Sequence, residues 1–275
     1  MTNFLSSKNH IGSGLYLIKK IMRKNKLLFT VNANNNGKVF YNKFRWDKID
    51  PIKRNFIIFN QKKSENLLLN KYDKKEIKNY KLSDAFIYNE YKIKFLNLNK
   101  YKPNFKKFKK IKFQALRDKN FMKWRYQNHP YFKYQIIFEG SYEEPSICVF
   151  RKEKYFGKYN GEIARVVDFF YPSNKKGKKN AKKLLKNLFN YLMKKKYVFV
   201  DYYNNIGDFS KIFNSFSISK KNQYRNLFVS KYCPIKYSNF EQNLYFTVPK
   251  KEKINLKEFY IGKSDIDGDV PAKLN

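Results

Sequence analysis

The chain has 275 residues, 42% of them apolar, which is enough for one large or two small domains with a hydrophobic core. Its formal net charge is +38, yet only eight of its 60 basic residues are arginine. Lysine, asparagine, isoleucine, phenylalanine and tyrosine are enriched together, as adenine- and thymine-rich codons produce. Since arginine is the better reader of bases and phosphates, we expect no nucleic-acid partner despite the charge.

Cysteine and histidine usage excludes two further classes. Cys148 and Cys233 are far apart and form no CxxC motif, and the chain has only two histidines. These counts argue against a disulfide framework, a zinc site or any metal cofactor. No apolar run approaches the roughly 18 residues of a spanning helix, and the apolar core 15–18 is too short for a signal peptide. We therefore expect a protein of the reducing cytoplasm.

Hydrophobic spacing predicts alternating helices and strands along the chain. In order, we predict helix 14–24, strand 27–31, helix 34–43, strand 54–59, a Lys/Asn-rich linker over 61–112, a helix from Asp118 to Pro130, strands 131–138, 146–151 and 162–170, helix 178–195, strand 197–202, helix 208–213, and strands 227–230 and 244–248. The alternation is typical of an α/β fold.

A glycine turn opens the first predicted helix. Gly12, Ser13 and Gly14 precede its apolar face, and a second helix begins at Asn34 after one strand. A helix N-terminus carries unpaired N–H donors, and glycine lets the backbone approach an anion closely. The turn is therefore suited to the pyrophosphate of a coenzyme.

This stretch resembles the coenzyme-binding core of the GNAT superfamily, the acetyl-coenzyme-A-dependent N-acetyltransferases. The family's turn reads Gln/Arg-x-x-Gly-x-Gly/Ala, and Asn9 stands at its first position, with Gly12 and Gly14 at the glycines. The resemblance implies that Asn9, Gly12, Ser13, Gly14 and Asn34 bind acetyl-CoA or another acyl-CoA. In the family, neighbouring strands part to admit the pantetheine arm.

The segment 41–46 resembles a second family pattern, Leu-Tyr-x-Lys-x-Gly-Phe, with Arg45 at the glycine position. The resemblance implies that Tyr41 protonates the departing thiolate, a step that a positioned phenol can perform. The strands that precede the turn in the family would lie upstream of Met1. We therefore expect the first domain to be a distal half, truncated or inactive as it stands.

The second half also resembles a GNAT domain, similar to acyltransferases of surface-polysaccharide biosynthesis. The matching motifs are Trp124-Arg125-Tyr126, Arg165-Val-Val-Asp168, Val200-Asp201-Tyr202-Tyr203 and the closing Lys263–Pro271. The aromatic cluster Trp124, Arg125 and Tyr126 either lines an acceptor pocket or packs in the core. Asp168 and Asp201 end central strands, where a carboxylate meets a substrate amine or caps the next turn.

The resemblance implies a mixed-sheet, GNAT-like α/β fold in tandem. Residues 1–60 would be the distal half of one domain, 61–112 a linker, 113–260 a complete second domain with a degraded coenzyme turn, and 261–275 an acidic polar tail. In the second domain Gly177 is the only glycine of that turn, so the Gly-x-Gly pattern that would hold a coenzyme is incomplete there.

The resulting hypothesis is acyl transfer from coenzyme A to an amine, on an amino-sugar precursor of surface polysaccharide. Tyr41 and Asp168 are the candidate catalytic residues, and Asp201 joins the aromatic cluster at the acceptor. The alternative is a non-catalytic basic protein that binds nucleic acid or an anionic membrane, or that serves as a scaffold in a glycan-assembly complex.

Overall fold

A computed structural model describes residues 16, 19–21, 23, 28–31, 35–49, 53–65, 80–83, 91–108, 112–113, 115–154, 161–217, 244–247, 259–262 and 265. The chain divides into two compact units, Met1–Ile52 with Phe240–Leu256, and Lys53–Asn239 with Lys257–Asn275. Each unit is described by itself, with strands and helices numbered along the chain.

The smaller unit contains an antiparallel sheet of three strands in the order β1-β9-β2. These strands are β1 (Leu28–Val31), β2 (Asp47–Ile49) and β9 (Leu244–Thr247). Helix α1 (Asn35–Lys43) leads into β2. Trp46 and Tyr245 are buried here, and the Tyr41 ring packs against both, with centroids 4.7 and 5.3 Å away.

The larger unit is built on a five-stranded sheet in the order β3-β8-β7-β6-β5. Its strands are β3 (Lys53–Ile58), β5 (Tyr134–Gly140), β6 (Pro145–Lys154), β7 (Glu162–Phe170) and β8 (Phe199–Asn204). Strands β7 and β8 are parallel, and the other neighbours are antiparallel. The predicted mixed-sheet α/β class is confirmed.

Short elements and helices complete the larger unit. They are α2 (Gln61–Glu65), the 3-10 turn Phe105–Phe108, β4 (Lys112–Phe113), α3 (Lys119–Met122), the π-helix Lys123–Gln127, α4 (Lys175–Lys194), α5 (Gly207–Asn214) and β10 (Phe259–Tyr260). Strands β4 and β10 pair in parallel. Among the residues described, no helix is long and apolar enough to cross a membrane.

Helix α4 shows why the sequence folds this way. Its leucines and alanine recur at helical spacing and are buried, as predicted, namely Ala181, Leu184, Leu185, Leu188 and Leu192. Each fully buried leucine side chain stabilises the fold by about 1.5–3 kcal/mol. Asn174 caps the helix, accepting a hydrogen bond from the N–H of Gly177 at 2.6 Å. The opposite face is almost wholly lysine.

Several predicted elements are present close to their predicted bounds. Asp118 caps α3, since its carboxylate accepts from the N–H of Phe121 at 2.8 Å. Strand 162–170 is β7, and the described residues of the opening helix are helical. The strand predicted at 227–230 lies outside the described residues.

Two strands pair differently from the predicted domain ranges. Strand β3 lies within the predicted first domain, 1–60, yet it pairs with β8 of the larger sheet. Strand β9 lies within the predicted second domain, 113–260, yet it pairs between β1 and β2. Both pairings join strands distant in sequence, which hydrophobic periodicity cannot reveal.

Candidate functional site

The central strands of the larger sheet part partway along their length. Strands β7 and β8 pair only from Ala164 to Val166, opposite Val200 to Tyr202. On the other side of β7, Asp168 pairs with Val149 and Val166 with Phe150, so that Val167 is an extra residue, a β-bulge. A bulge bends a strand and interrupts its pairing. We call the space beyond Val166 and Tyr202 the gap between β7 and β8.

Asp168 lies directly after the bulge and is fully buried. Its Oδ2 accepts a hydrogen bond from the Nε of Arg117 at 3.0 Å and from the hydroxyl of Tyr126 at 2.7 Å. Its Oδ1 has no hydrogen-bond partner among the described residues. One oxygen of the carboxylate is therefore held by two hydrogen bonds.

Arg117 links Asp168 to the C-terminal part of the chain. Its Nη2 donates to Oδ2 of Asp265 at 2.6 Å, and its Nη1 donates to the carbonyl of Ala115 at 2.8 Å. The hydroxyl of Tyr101 donates to the carbonyl of Arg117 at 2.6 Å. The guanidinium is thus held on several sides and orients the Asp168 carboxylate.

Burial and charge together set the protonation of this cluster. Burial lowers the pKa of Arg117, but the Asp168 and Asp265 carboxylates outweigh it, so that this pKa is raised and the arginine stays charged. Burial raises the pKa of Asp265 above its usual range, although Arg117 acts against this. Burial, followed by the charge of Asp168, raises the pKa of the Cys148 thiol, which argues against Cys148 as a nucleophile.

The structure brings two of the predicted site residues together and separates others. Tyr126 reaches Asp168 because the π-helix turns its ring inward. Trp124, on the same π-helix, is 69% exposed. The guanidinium of Arg125 lies 6.0 Å from the ring centroid of Tyr134.

Asp201 belongs to a second buried charge group, on β6, β7 and β8. Its carboxylate is 4.0 Å from the Nη2 of Arg165, and Arg165 lies opposite it in the parallel register. Glu153 lies 2.6 Å from the Nε of Arg165 and 3.2 Å from the Nη1 of Arg151. In this position Asp201 balances buried arginine charge.

The remaining predicted residues lie in or near the smaller unit's sequence. Tyr41 belongs to α1, where its ring packs on Trp46 and Tyr245. The five predicted coenzyme contacts, Asn9, Gly12, Ser13, Gly14 and Asn34, lie outside the described residues. Among the side chains that are described, no group of three or more His, Cys, Asp or Glu could hold a metal ion.

An open cavity of about 540 Å³ lies beside the π-helix, against the edge of β5. It is lined by Phe95, Leu96, Asn97, Leu98, Asn99, Lys123, Gln127, Tyr134, Gln135 and Ile136. Four of these side chains are amides, one is a cation and none is a carboxylate. The ring of Tyr134 also contacts that of Tyr126, with centroids 5.3 Å apart, so the cavity adjoins the Asp168 cluster through two aromatic rings.

Comparison with known proteins gives little guidance. No protein-family model matches the chain, and no curated protein sequence matches it. Among solved structures, Saccharomyces cerevisiae N-myristoyltransferase with bound myristoyl-CoA aligns at 12% identity and a TM-score of 0.43, covering 90% of this chain and 58% of that one. The chain thus spans little more than half the length of that protein. A similarity of this size carries no argument about activity.

Sequence reasoning missed Arg117 and Asp265 as partners of Asp168. They stand 51 residues before and 97 residues after the aspartate. Arg117 falls in no motif, and Asp265 falls in the closing motif Lys263–Pro271, which gave it no role. One signal was available, the scarcity of arginine. Arg117, Arg151 and Arg165 are buried, whereas none of the lysines among the described side chains is. At these three buried positions the planar guanidinium of arginine supplies several N–H donors in a fixed geometry, which the ammonium group of lysine does not.

Proposed function

We propose that the chain transfers an acyl group from coenzyme A to an amine, with Asp168 as the proton acceptor. The observation that carries this proposal is the buried Asp168 carboxylate at the parting of β7 and β8, whose Oδ1 has no hydrogen-bond partner among the described residues. Arg117 and Tyr126 hold the other oxygen, so that Oδ1 is presented in one orientation. Such a fixed carboxylate is suited to general-base chemistry.

In the proposed reaction the amine nitrogen attacks the thioester carbonyl. A new C–N bond forms, the C–S bond breaks, and one proton passes from the nitrogen to Oδ1 of Asp168. Coenzyme A leaves as a thiolate and takes up a proton from water. The role of Tyr41 as a proton donor stays a separate proposal, made on the strength of the family resemblance alone. The coenzyme contacts at Asn9, Gly12, Ser13, Gly14 and Asn34 remain proposals of the same kind.

For the acceptor we propose an amino sugar. The cavity beside the π-helix offers the amides of Asn97, Asn99, Gln127 and Gln135, which both donate and accept hydrogen bonds, together with the exposed ring of Phe95. Hydroxyl-rich rings match such a lining better than an alkyl chain does. The remaining proposed acceptor contacts are Trp124, Arg125, Tyr126 and Asp201. A cytoplasmic location remains part of the proposal.

The test is release of free thiol from acetyl-CoA, with glucosamine and with butylamine as acceptors. We expect Asp168→Asn to lower the rate about 100-fold or more, the usual range for loss of a general base. The matched control is Asp208→Asn, since the Asp208 side chain is 72% exposed and should leave the rate unchanged. Glucosamine should be preferred over butylamine.

Three results would contradict the proposal. They are no thiol release with either acceptor, an unchanged rate in Asp168→Asn, or an equal loss in Asp208→Asn. A preference for butylamine would remove the amino-sugar assignment alone. Circular dichroism of each variant separates a lost base from a lost fold.

A further inference from the structure

The gap between β7 and β8 contains part of the chain itself. We call residues 259–262 and 265 the tail segment. Gly262 forms an antiparallel bridge with Asn204 of β8, whose other edge is already paired with Lys53 of β3. A Cβ built on Gly262 would lie 3.1 Å from the carbonyl oxygen of Val167. The backbone at Gly262 therefore lies between the two parted strands.

The hydroxyls of Tyr260 and Tyr202 bind the backbone groups of Phe169 on β7. The hydroxyl of Tyr260 accepts a hydrogen bond from the N–H of Phe169 at 3.0 Å, and the hydroxyl of Tyr202 donates to the carbonyl of Phe169 at 3.2 Å. The two hydroxyls are 3.3 Å apart. Tyr260 is fully buried. The tail segment thus lies where a sixth strand would pair. The hydroxyl of Tyr260 makes the hydrogen bond to Phe169 that a backbone group of such a strand would make.

Gly262 fits this position because it has no side chain. A Cβ there would lie 2.7 Å from the hydroxyl oxygen of Tyr260, closer than real Cβ contacts come. The hydroxyl is fixed by Phe169, so it cannot move away without losing that hydrogen bond. Any larger residue at 262 would therefore displace the tail segment or the Tyr260 ring.

Two further contacts hold the tail segment in place. Asp265 accepts from Arg117 at 2.6 Å and from the N–H of Gly262 at 2.9 Å. The N–H of Ile261 donates to Oδ1 of Asn205 at 2.8 Å. Through Arg117, the same segment is connected to Asp168. Asp265, in the predicted acidic tail, thus binds a buried arginine.

We propose that the gap is a binding site for one extended strand, that the tail segment is its resident occupant, and that another extended, amide-bearing chain enters only after this segment leaves. Parted strands expose N–H and C=O groups at strand spacing, which an added strand satisfies by main-chain hydrogen bonds. This inference depends on the contacts of the tail segment and not on the proposed acyl transfer.

Hydrogen exchange of the full chain, followed by mass spectrometry, tests the proposal. Gly262→Ala should make amides of 166–170 and 259–262 exchange at least tenfold faster. Gly207→Ala is the matched control, because nothing lies within 4 Å of a Cβ at that position. Tyr260→Phe keeps the ring and removes the hydroxyl, and it should speed exchange at Phe169. If Gly262→Ala disturbs the whole unit, Tyr260→Phe is the variant that shows whether the tail segment protects this amide.

Two probes added to Gly262→Ala test the binding site itself. A synthetic peptide of residues 257–266 should slow exchange at 166–170 again, and it should leave the wild-type chain unchanged. Acetyl-CoA, in a parallel experiment, should slow the same amides in the variant. Wild-type exchange at 166–170 in both Gly262→Ala and Tyr260→Phe would overturn the resident strand. Failure of both probes at millimolar concentration would overturn the site. Neither result depends on thiol release.

Discussion

Asp168 and Asp265 share one arginine, and this arrangement determines how the cluster responds to pH. Both carboxylates bind the guanidinium of Arg117, so that the buried group holds two acids and one base. Removing one partner of a buried ion pair leaves a charge without compensation, which costs about 3–5 kcal/mol. The cluster is therefore a sensitive point of the larger unit as well as the candidate site.

The raised pKa of Asp265 predicts a pH dependence of stability. A group whose pKa is higher in the folded than in the unfolded chain stabilises fully below its unfolded value, about 3.9 for aspartate, and loses that contribution as pH rises through the folded value. The groups that face Asp265 are Arg117, Asp168 and the N–H of Gly262. We expect the free energy of unfolding of the wild type, relative to Asp265→Asn, to fall as pH rises above 4.

Urea unfolding at pH steps from 3.5 to 7.5, followed by circular dichroism, measures this difference for both proteins. A difference that grows with pH would mean that the attraction of Arg117 outweighs burial, and would contradict the prediction. Asp208→Asn again serves as the exposed control, and its difference from the wild type should stay flat.

At this scale the sequence predicts a carboxylate at the end of a central strand, and Asp168 is found there. It does not predict what binds that carboxylate. The sequence leaves open whether Tyr126 lines an acceptor pocket or packs in the core, and the structure adds that its hydroxyl contacts Asp168. This residue lies on a π-helix, which a 3.6-residue period does not anticipate.

Two helices end on a residue with a left-handed backbone that is not glycine. Arg45 follows α1 with φ 53°, and Lys196 follows α4 with φ 60°. In each case the next residue closes the helix, since Trp46 N–H donates to the carbonyl of Tyr41 and Tyr197 N–H to that of Leu192. Glycine is the usual residue at this position.

We expect Arg45→Gly and Lys196→Gly each to stabilise the fold by about 0.5–1 kcal/mol, because a side chain in the left-handed region costs more than the added flexibility of glycine. Lys195→Gly is the matched control, since Lys195 has φ −80° and should lose stability instead. Urea midpoints measure all three. Destabilisation by Arg45→Gly or Lys196→Gly would contradict the prediction.

Elements with strong periodicity could be predicted, and irregular ones could not. Helix α4 and strand β7 follow from their apolar spacing, and the Asp118 cap follows from its residue type. The bulge at Val167 has no sequence signature within a run of apolar residues. The parting of β7 and β8 therefore had to be seen in the structure.

Across the whole chain, the two compact units do not follow the order of the sequence. Strand β3 precedes the predicted linker but belongs to the larger unit, and β9 follows most of the larger unit but belongs to the smaller one. Each unit is therefore formed from two chain segments that are separated in the sequence by a segment of the other unit. Tandem domains with boundaries at 60, 112 and 260 would each be formed from one continuous segment. Local patterns predict which segments are strands, and only tertiary contacts decide which sheet they join.

The most direct measurement of the central claim is chemical rescue of Asp168→Ala. The variant should release thiol from acetyl-CoA about 100-fold more slowly than the wild type. Added formate should raise the rate of the variant at least about tenfold, because it supplies a carboxylate in the space that the side chain vacated. Formate should leave the wild-type rate unchanged. A folded Asp168→Ala variant that keeps the wild-type rate, or whose rate does not respond to formate, would contradict the role of Asp168 as proton acceptor.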